Sequence, residues 1–292
     1  MTTPLLRSTF LTKASLAISL AACIVSVSRA DILLVEGTEV RRYSDSGTLL
    51  STFAQGLASP LGITEADGYV FIGQHGGGEI HKYDAAGRDM GAVLSEHSEW
   101  QPAGLAWNDG WLYAASTRHK GVARYALDSR DEDGNSNTPE AQVVLGELPD
   151  AGSGLCSAGK RGGVYFTTSD ETTGKGVLGY WSGQAGESAE TLQTFPEGSH
   201  PRGIAADGDT IYVALMGPGN VLKISPDGKH EDWLTGLLMP VGLAIKAGNL
   251  YVGQYASRAV EAFRLSDKSA QMSLASDGNP QYFTLTSPET QE

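Results

Sequence analysis

The chain has 292 residues, 37 of them glycine, and its 21 Lys and Arg residues against 34 Asp and Glu residues give a net charge of −13. Nucleic acids and anionic membranes bind proteins through clustered basic residues, and the sequence contains no such cluster, which argues against both as partners. The acidic balance favours solubility.

The first thirty residues have the pattern of a secretory signal peptide. Two basic residues precede a 14-residue apolar run, Ala14–Val27, and the small residues Ser28 and Ala30 stand just before Asp31. This is the order of a charged region, an apolar region and a cleavage site. The run is too short to span a bilayer as a helix. The pattern predicts removal of residues 1–30, export to the periplasm or the extracellular space, and no transmembrane segment.

The sequence contains two cysteines, Cys23 and Cys156. Cys23 ends a lipobox-like tetrapeptide, Leu-Ala-Ala-Cys, so the alternative to a secreted protein is one that is lipid-anchored through Cys23. Cys156 follows glycine and leucine in an apolar strand pattern. This context predicts a buried, inert thiol rather than a nucleophile.

Five copies of a repeat follow the N-terminal segment. Each copy starts with Pro-x-Gly (with glycine in place of proline in the third copy) and continues as short apolar strands separated by Asp-Gly, Asn-Gly or Gly-Gly turns. Four such strands per 40–50 residues, repeated several times, indicate a β-propeller. The copies start at Pro60, Pro102, Gly152, Pro201 and Pro240.

The two ends of the chain together supply a sixth copy. Pro280 begins a first strand only, and the segment Asp31–Gly47 aligns with strands two and three of the other copies. We therefore predict an all-β fold, a six-bladed β-propeller with four antiparallel strands per blade. The closing blade is shared by the N- and C-termini, which leaves no free sheet edge at the seam. The predicted single domain covers residues 31–285, and residues 286–292 form a tail.

An acidic insertion lies within the second copy. Asp131, Asp133 and Asn135 present oxygen-bearing side chains at alternate positions, as calcium-binding loops do. The glycine spacing differs from that of an EF-hand, and no glutamate occupies the twelfth position. Two interpretations stay open, a calcium site and a solvated acidic hairpin.

The Pro-x-Gly-[Ile/Leu]-Ala and Tyr-Val-[Ala/Gly] sequences recur in these copies, and the chain resembles the NHL-repeat superfamily. That superfamily shares its six-bladed form with gluconolactonase/regucalcin-like lactonases. The resemblance implies, for a lactonase, Glu, Asn and Asp ligands to a divalent cation at the start of the first strands. Here the x positions carry no acid and no asparagine; they are Leu61, Ala103, Ser153, Arg202, Val241 and Gln281.

Strand order predicts which polar residues share one face of the propeller. The Pro-x-Gly starts and the loops between strands two and three lie together at the mouth of the central channel, and convergent polar groups at such a mouth indicate a ligand site. The candidate residues for ligand binding are Glu36, Gln74, His75, Gln101, His200, Arg202, Gln254 and Tyr255.

Two functional hypotheses follow. The first is a monomeric, non-catalytic binding module or scaffold that takes a small molecule, a glycan or a protein at this face. The second is a metal-assisted hydrolase or lyase, in which His75, His200 and Glu36 hold a divalent cation such as Ca²⁺ or Zn²⁺. In that hypothesis Arg202 stabilises an oxyanion or clamps a carboxylate.

Overall fold

The computed structural model describes residues 31–94, 100–127, 143–146, 148, 151–278, 280 and 282–286. Across these residues the protein consists of 24 β-strands and one short 3-10 helix, Gly159–Arg161. Nowhere in these ranges is there a helix of the length and apolarity that a membrane crossing requires. The predicted all-β architecture is confirmed.

Six four-stranded antiparallel sheets form the blades. The first three strands of the described residues belong to blade 6 and are β1 (Ile32–Glu36), β2 (Glu39–Tyr43) and β3 (Leu49–Ala54). Blade 1 contains β4 (Pro60–Ala66), β5 (Tyr69–Gln74), β6 (Glu79–Tyr83) and β7 (Asp89–Leu94). Blade 2 contains β8 (Pro102–Asn108), β9 (Trp111–Ser116), β10 (Gly121–Ala126) and β11 (Val143–Leu145). Blade 3 contains β12 (Ala151–Ser157), β13 (Val164–Ser169), β14 (Gly176–Trp181) and β15 (Glu190–Phe195).

The remaining strands complete the ring. Blade 4 contains β16 (Pro201–Asp207), β17 (Thr210–Leu215), β18 (Asn220–Ile224) and β19 (His230–Leu234). Blade 5 contains β20 (Pro240–Lys246), β21 (Asn249–Gln254), β22 (Ala259–Arg264) and β23 (Ala270–Ala275). The last strand, β24 (Phe283–Leu285), belongs to blade 6.

Blade 6 is the predicted closing blade. Its sheet order is β24-β1-β2-β3, so one strand comes from the C-terminal end and three from the N-terminal end. Ile32 pairs with Leu285, and the Thr286 amide donates to the Asp31 carbonyl at 3.0 Å. Thr286, which the sequence assigned to the tail, thus takes part in the seam.

The first strand of each blade lies innermost, and these strands contact one another in ring order from β4 through β8, β12, β16, β20 and β24 back to β4. Glycine in the Pro-x-Gly motif permits this close approach. A Cβ atom at Gly154 would lie 2.2 Å from the Arg202 carbonyl oxygen, and one at Gly203 would lie 2.2 Å from that of Val241. The motif is therefore a packing requirement of the ring.

The core lies between adjacent blades. At the seam of blades 5 and 6, for example, Ile32, Leu34 and Tyr43 pack with Val260 and Leu274. Each blade exposes its loops on two faces. We call the face that carries the Pro-x-Gly starts and the strand-two-to-three loops the Pro face. We call the face that carries the strand-one-to-two turns the hairpin face.

Candidate functional site

A repeated backbone pairing builds the Pro face. In four blades, the first residue of the strand-two-to-three loop donates its amide to the carbonyl of the residue that precedes the proline. This bond holds the loop against the start of the innermost strand of the same blade. The pairs are His75–Ser59, Thr117–Gln101, Met216–His200 and Tyr255–Met239.

The residue before the proline adopts a left-handed conformation in four blades. The φ angles are 49° at Ser59, 48° at Gln101, 45° at His200 and 57° at Met239. This conformation is uncommon for residues other than glycine, and a following proline restricts it further. Because four different side chains share it, the strain belongs to the blade start rather than to any chemistry of Gln101 or His200.

Gln74 and Gln254 are buried and fasten the segment that leads into the innermost strand. The Gln74 side-chain oxygen accepts the Ala58 amide at 2.8 Å, and the Gln254 oxygen accepts the Leu238 amide at the same distance. The Gln254 amide also donates to Glu261 at 2.6 Å. The structure therefore gives both glutamines an internal partner, which leaves them less available to a ligand.

Glu36 occupies the same position in blade 6 and is also buried. The Tyr43 hydroxyl donates to its two oxygens at 3.2 and 3.0 Å, and the Ser276 hydroxyl donates to one of them. Arg41 lies 3.3 Å from the carboxylate and also pairs with Glu39 at 3.1 Å. Burial and the negative charge of Glu36 raise the pKa of Tyr43 to about 12. Glu36 thus holds the closing blade against blade 5.

His75 links two blades across the Pro face. Its Nε2 atom lies 3.0 Å from the hydroxyl of Thr117 in blade 2. Partial burial lowers the pKa of His75, which favours a neutral imidazole. The equivalent residue in blade 5 is Tyr255, which is half-buried. The Tyr255 amide donates to the Met239 carbonyl at 3.0 Å.

His200 is half-buried beside the loop of blade 3. Its amide donates to the Gly174 carbonyl at 2.7 Å, and its ring covers Gly174 so closely that a Cβ atom there would lie 2.5 Å from Nε2. The Nδ1 atom is buried and has no hydrogen-bond partner. The ring of His200 therefore packs against a neighbouring blade.

Arg202 forms the charged part of the channel mouth. Its guanidinium donates to both oxygens of Glu171, at 3.0 and 3.2 Å, in the bidentate geometry typical of strong pairs. Burial lowers the pKa of Arg202, but Glu171 and the nearby Tyr282 outweigh that effect and raise it. A register shift between Pro201 and Ile204 places Arg202 in a β-bulge.

Tyr282 is a site residue that the sequence analysis missed. It stands two residues after Pro280, where the other five copies have glycine. Its hydroxyl donates to the Ser153 carbonyl at 3.3 Å. Since Tyr282 belongs to blade 6 and Ser153 to blade 3, on the opposite side of the ring, the phenol crosses the channel. The break in the repeated glycine was the available signal.

Apolar side chains also reach the surface of the Pro face. Leu238 and Met239 are 55% and 38% exposed, and half-buried Tyr255 is bonded to the Met239 backbone. Met216 of blade 4 is half-buried, and its loop continues into this area because the Leu237 amide donates to the Gly219 carbonyl at 2.9 Å. We call Leu238, Met239, Tyr255 and Met216 the apolar patch.

The predicted metal-binding residues do not form a metal-binding group among the described residues. Within the ranges that the structure describes, no three His, Cys, Asp or Glu side chains come together in a group that could hold a metal ion. His75, His200 and Glu36 are thus not brought into one cluster. Asp131, Asp133 and Asn135 of the calcium-like loop lie outside the described residues, as do Gln281, Cys23 and the N-terminal segment.

Cys156 lies on β12 and lines the central channel. Burial raises the pKa of its thiol to about 12, so the reactive thiolate is scarce near neutral pH. Cys156 is half-buried rather than buried as the sequence predicts, and its inertness stays a prediction.

Neither known family profiles nor curated proteins match the sequence. Solved structures do match the fold. A chain in a nidogen/laminin complex is 14% identical, with a TM-score of 0.70 over 89% of this chain and 99% of that chain. The fold is that of the six-bladed propellers.

Two enzymes have the same fold. A gluconolactonase from Xanthomonas campestris is 14% identical, with a TM-score of 0.62 over 89% of this chain and 94% of that chain. Virginiamycin B lyase from Staphylococcus aureus is 15% identical, with a TM-score of 0.55 over 87% of this chain and 78% of that chain. At these identities the likeness concerns the fold, which confirms the resemblance at that level and leaves the chemistry open.

Proposed function

We propose that this propeller is an exported, non-catalytic binding module that holds a protein partner on its Pro face. The observation that carries the proposal is the apolar patch, where Leu238 and Met239 are exposed at 55% and 38%. Exposed apolar side chains grouped on one face are typical of protein interaction sites. Methionine and tyrosine are among the residues enriched in the buried centres of such interfaces.

The bonding of the polar residues supports a binding role. Gln74, Gln254, Glu36 and Arg202 all have partners within the protein. Their bonds fix the loops of the Pro face, and a surface that is ordered before association loses less conformational entropy on binding. A catalytic acid, base or nucleophile must instead be able to reach a substrate.

The shape of the channel mouth favours a protein over a small molecule on this face. Among the described residues, the phenol of Tyr282 crosses the opening to Ser153 and so covers the centre of the Pro face. Small ligands require concave sites that bury most of their surface, whereas proteins bind across broad surfaces. The propeller of similar fold in the nidogen/laminin complex shows that such a fold can occur in a protein assembly.

The proposal is tested with two matched double variants. Leu238→Asn with Met239→Asn makes the patch polar, and asparagine tolerates the left-handed backbone at position 239. Leu49→Asn with Leu50→Asn removes two leucines, each 51% exposed, from β3. Each protein is immobilised and exposed to an extract of the exported fraction, and the retained proteins are identified by mass spectrometry.

A partner that binds the wild type and the β3 variant but not the patch variant supports the proposal. If every retained protein also binds the patch variant, the Pro face is not the interface and the proposal fails. Retention of a glycan or a small molecule that depends on the patch would instead assign another class of ligand. Self-association that the patch variant abolishes would identify a second copy of this chain as the partner.

A further inference from the structure

The innermost strands leave one set of backbone groups without a sheet partner. Each of these six strands lies at the end of its sheet, so its inner edge faces the central channel. The channel contains a cavity of about 260 Å³, lined by the innermost strands of all six blades. Buried N–H and C=O groups require hydrogen-bond partners. The Thr167 hydroxyl serves the Gly154 amide and the Arg202 carbonyl, and the contents of the cavity must supply partners for the groups that remain.

The end of the cavity at the Pro face is closed. Tyr282 lines the cavity, and its hydroxyl reaches the Ser153 carbonyl on the opposite blade. Ala103, Ser153 and Val241, which stand at the x positions of three blades, are 2%, 3% and 5% exposed. Arg202, at another x position, is engaged with Glu171 above the phenol.

The end of the cavity at the hairpin face is open. Toward this face the lining residues change from buried to partly exposed. The partly exposed residues on this side are Thr64, Trp107, Cys156, Ser157, Ala206, Ala244, Ile245 and Thr284, whereas at the other end Tyr282 is partly exposed. A solute can therefore reach the cavity from the hairpin face and meets Tyr282 at its inner end.

The lining also defines the chemistry of the solute. Among the described residues that border the cavity, none carries a charged side chain. An ion would lose its hydration there without gaining an opposite charge. The free strand edges present donors and acceptors in alternation. A hydroxyl group can accept a hydrogen bond from an N–H group and donate one to a C=O group. The cavity has room for several waters or for one small organic molecule.

We infer that the channel is a blind binding pocket, open at the hairpin face and closed by Tyr282, for a small uncharged polyol. Backbone groups of the innermost strands hold the hydroxyls. Trp107, whose ring stacks on Phe71 at 6.3 Å, offers an aromatic surface at the mouth. This pocket is separate from the apolar patch, so either site can exist without the other.

Cys156 is a built-in reporter of access to the pocket, because it lines the cavity. The full chain is treated with methyl methanethiosulfonate, a small uncharged thiol reagent, and modification of the peptide containing Cys156 is followed by mass spectrometry. Thr64→Trp narrows the mouth at the hairpin face. Leu61→Trp places the same indole ring at the other end of the same strand, β4.

We expect Thr64→Trp to slow modification roughly tenfold and Leu61→Trp to change it less than about twofold, because the reagent must pass the mouth to reach the half-buried thiol. Tyr282→Ala, which opens a second route, speeds it, while Tyr282→Phe keeps the ring and leaves the rate unchanged. Circular dichroism verifies that each variant is folded. Slowing by Leu61→Trp but not by Thr64→Trp would overturn the inferred direction of access.

Ligand class is tested on the wild type, so it does not depend on any variant. Glycerol, erythritol and myo-inositol are compared with citrate, which is charged, as protectants of Cys156. Protection by a polyol and none by citrate supports the inference. Protection by citrate alone, the absence of protection by all three polyols, or a thiol that reacts only after denaturation would overturn it.

Discussion

Replacing Glu36 by alanine distinguishes a structural carboxylate from a ligand-binding one. The substitution removes the acceptor of the Tyr43 and Ser276 hydroxyls and one partner of Arg41. Removing one member of a buried charged network costs ~3–5 kcal/mol. Arg41 keeps Glu39 and Asp277 as partners, so we expect a loss of about 4 kcal/mol in the free energy of unfolding. At about 2–4 °C per kcal/mol, Tm falls by roughly 8–16 °C.

Equilibrium urea unfolding, followed by tryptophan fluorescence, measures this loss. Glu39→Ala is the matched control, because Glu39 pairs with the same Arg41 at 3.1 Å but is partly exposed. Exposed pairs contribute ~0–1 kcal/mol, and we expect the control to lose less than about 1 kcal/mol. A double-mutant cycle between Glu36→Ala and Ser276→Ala should give a coupling energy of about 1–2 kcal/mol.

A binding role for Glu36 predicts the opposite result. Functional carboxylates are commonly held at a cost in stability, so their removal leaves stability unchanged or raises it. Surface substitutions usually change the free energy of unfolding by no more than ~0.5 kcal/mol. If the unfolding free energies of Glu36→Ala and Glu39→Ala differ by no more than this, the structural role of Glu36 is refuted.

Three further predictions concern other parts of the chain. Gly203→Ala places a Cβ 2.2 Å from a carbonyl oxygen and should prevent soluble folding. Gly77→Ala meets atoms no closer than 3.7 Å and should be tolerated, so the yields of soluble protein from the two variants test the prediction. Because burial lowers the pKa of His75, its contribution to stability is complete above pH 6.5 and declines as pH falls below it; His75→Asn should flatten that decline in Tm. Export predicts that N-terminal sequencing of the secreted protein begins at Asp31.

The fold was predictable from the sequence because its signals are local and repeated. Pro201 and Gly203, with the Asp-Gly turn at Asp207, mark the start and end of an innermost strand without reference to distant residues. The shared closing blade follows from counting strands at the two ends. The six sheets and their order confirm these predictions.

The hydrogen bonds of the candidate site residues could not be predicted from the sequence, because they depend on partners that the repeat does not specify. The sequence places Gln74 on the Pro face, but the backbone amide that its side chain accepts belongs to Ala58, 16 residues earlier. Gln254 and Leu238 have the same separation. The glutamine shared by this repeat position in two blades could therefore have indicated the side-chain-to-backbone bond. Tyr282 replaces the glycine of the motif rather than an x residue, so the x positions do not reveal it.

The seam in blade 6 also dictates an order of folding. Thr286 and Asp31, which meet there, are 255 residues apart in the chain. During synthesis β1 keeps an open edge until β24 has been made, and such an edge can recruit other strands. Five blades can assemble from neighbouring segments, but the sixth waits for the last strand. Loss of only the final ten residues would therefore leave a nearly complete chain with its ring unclosed.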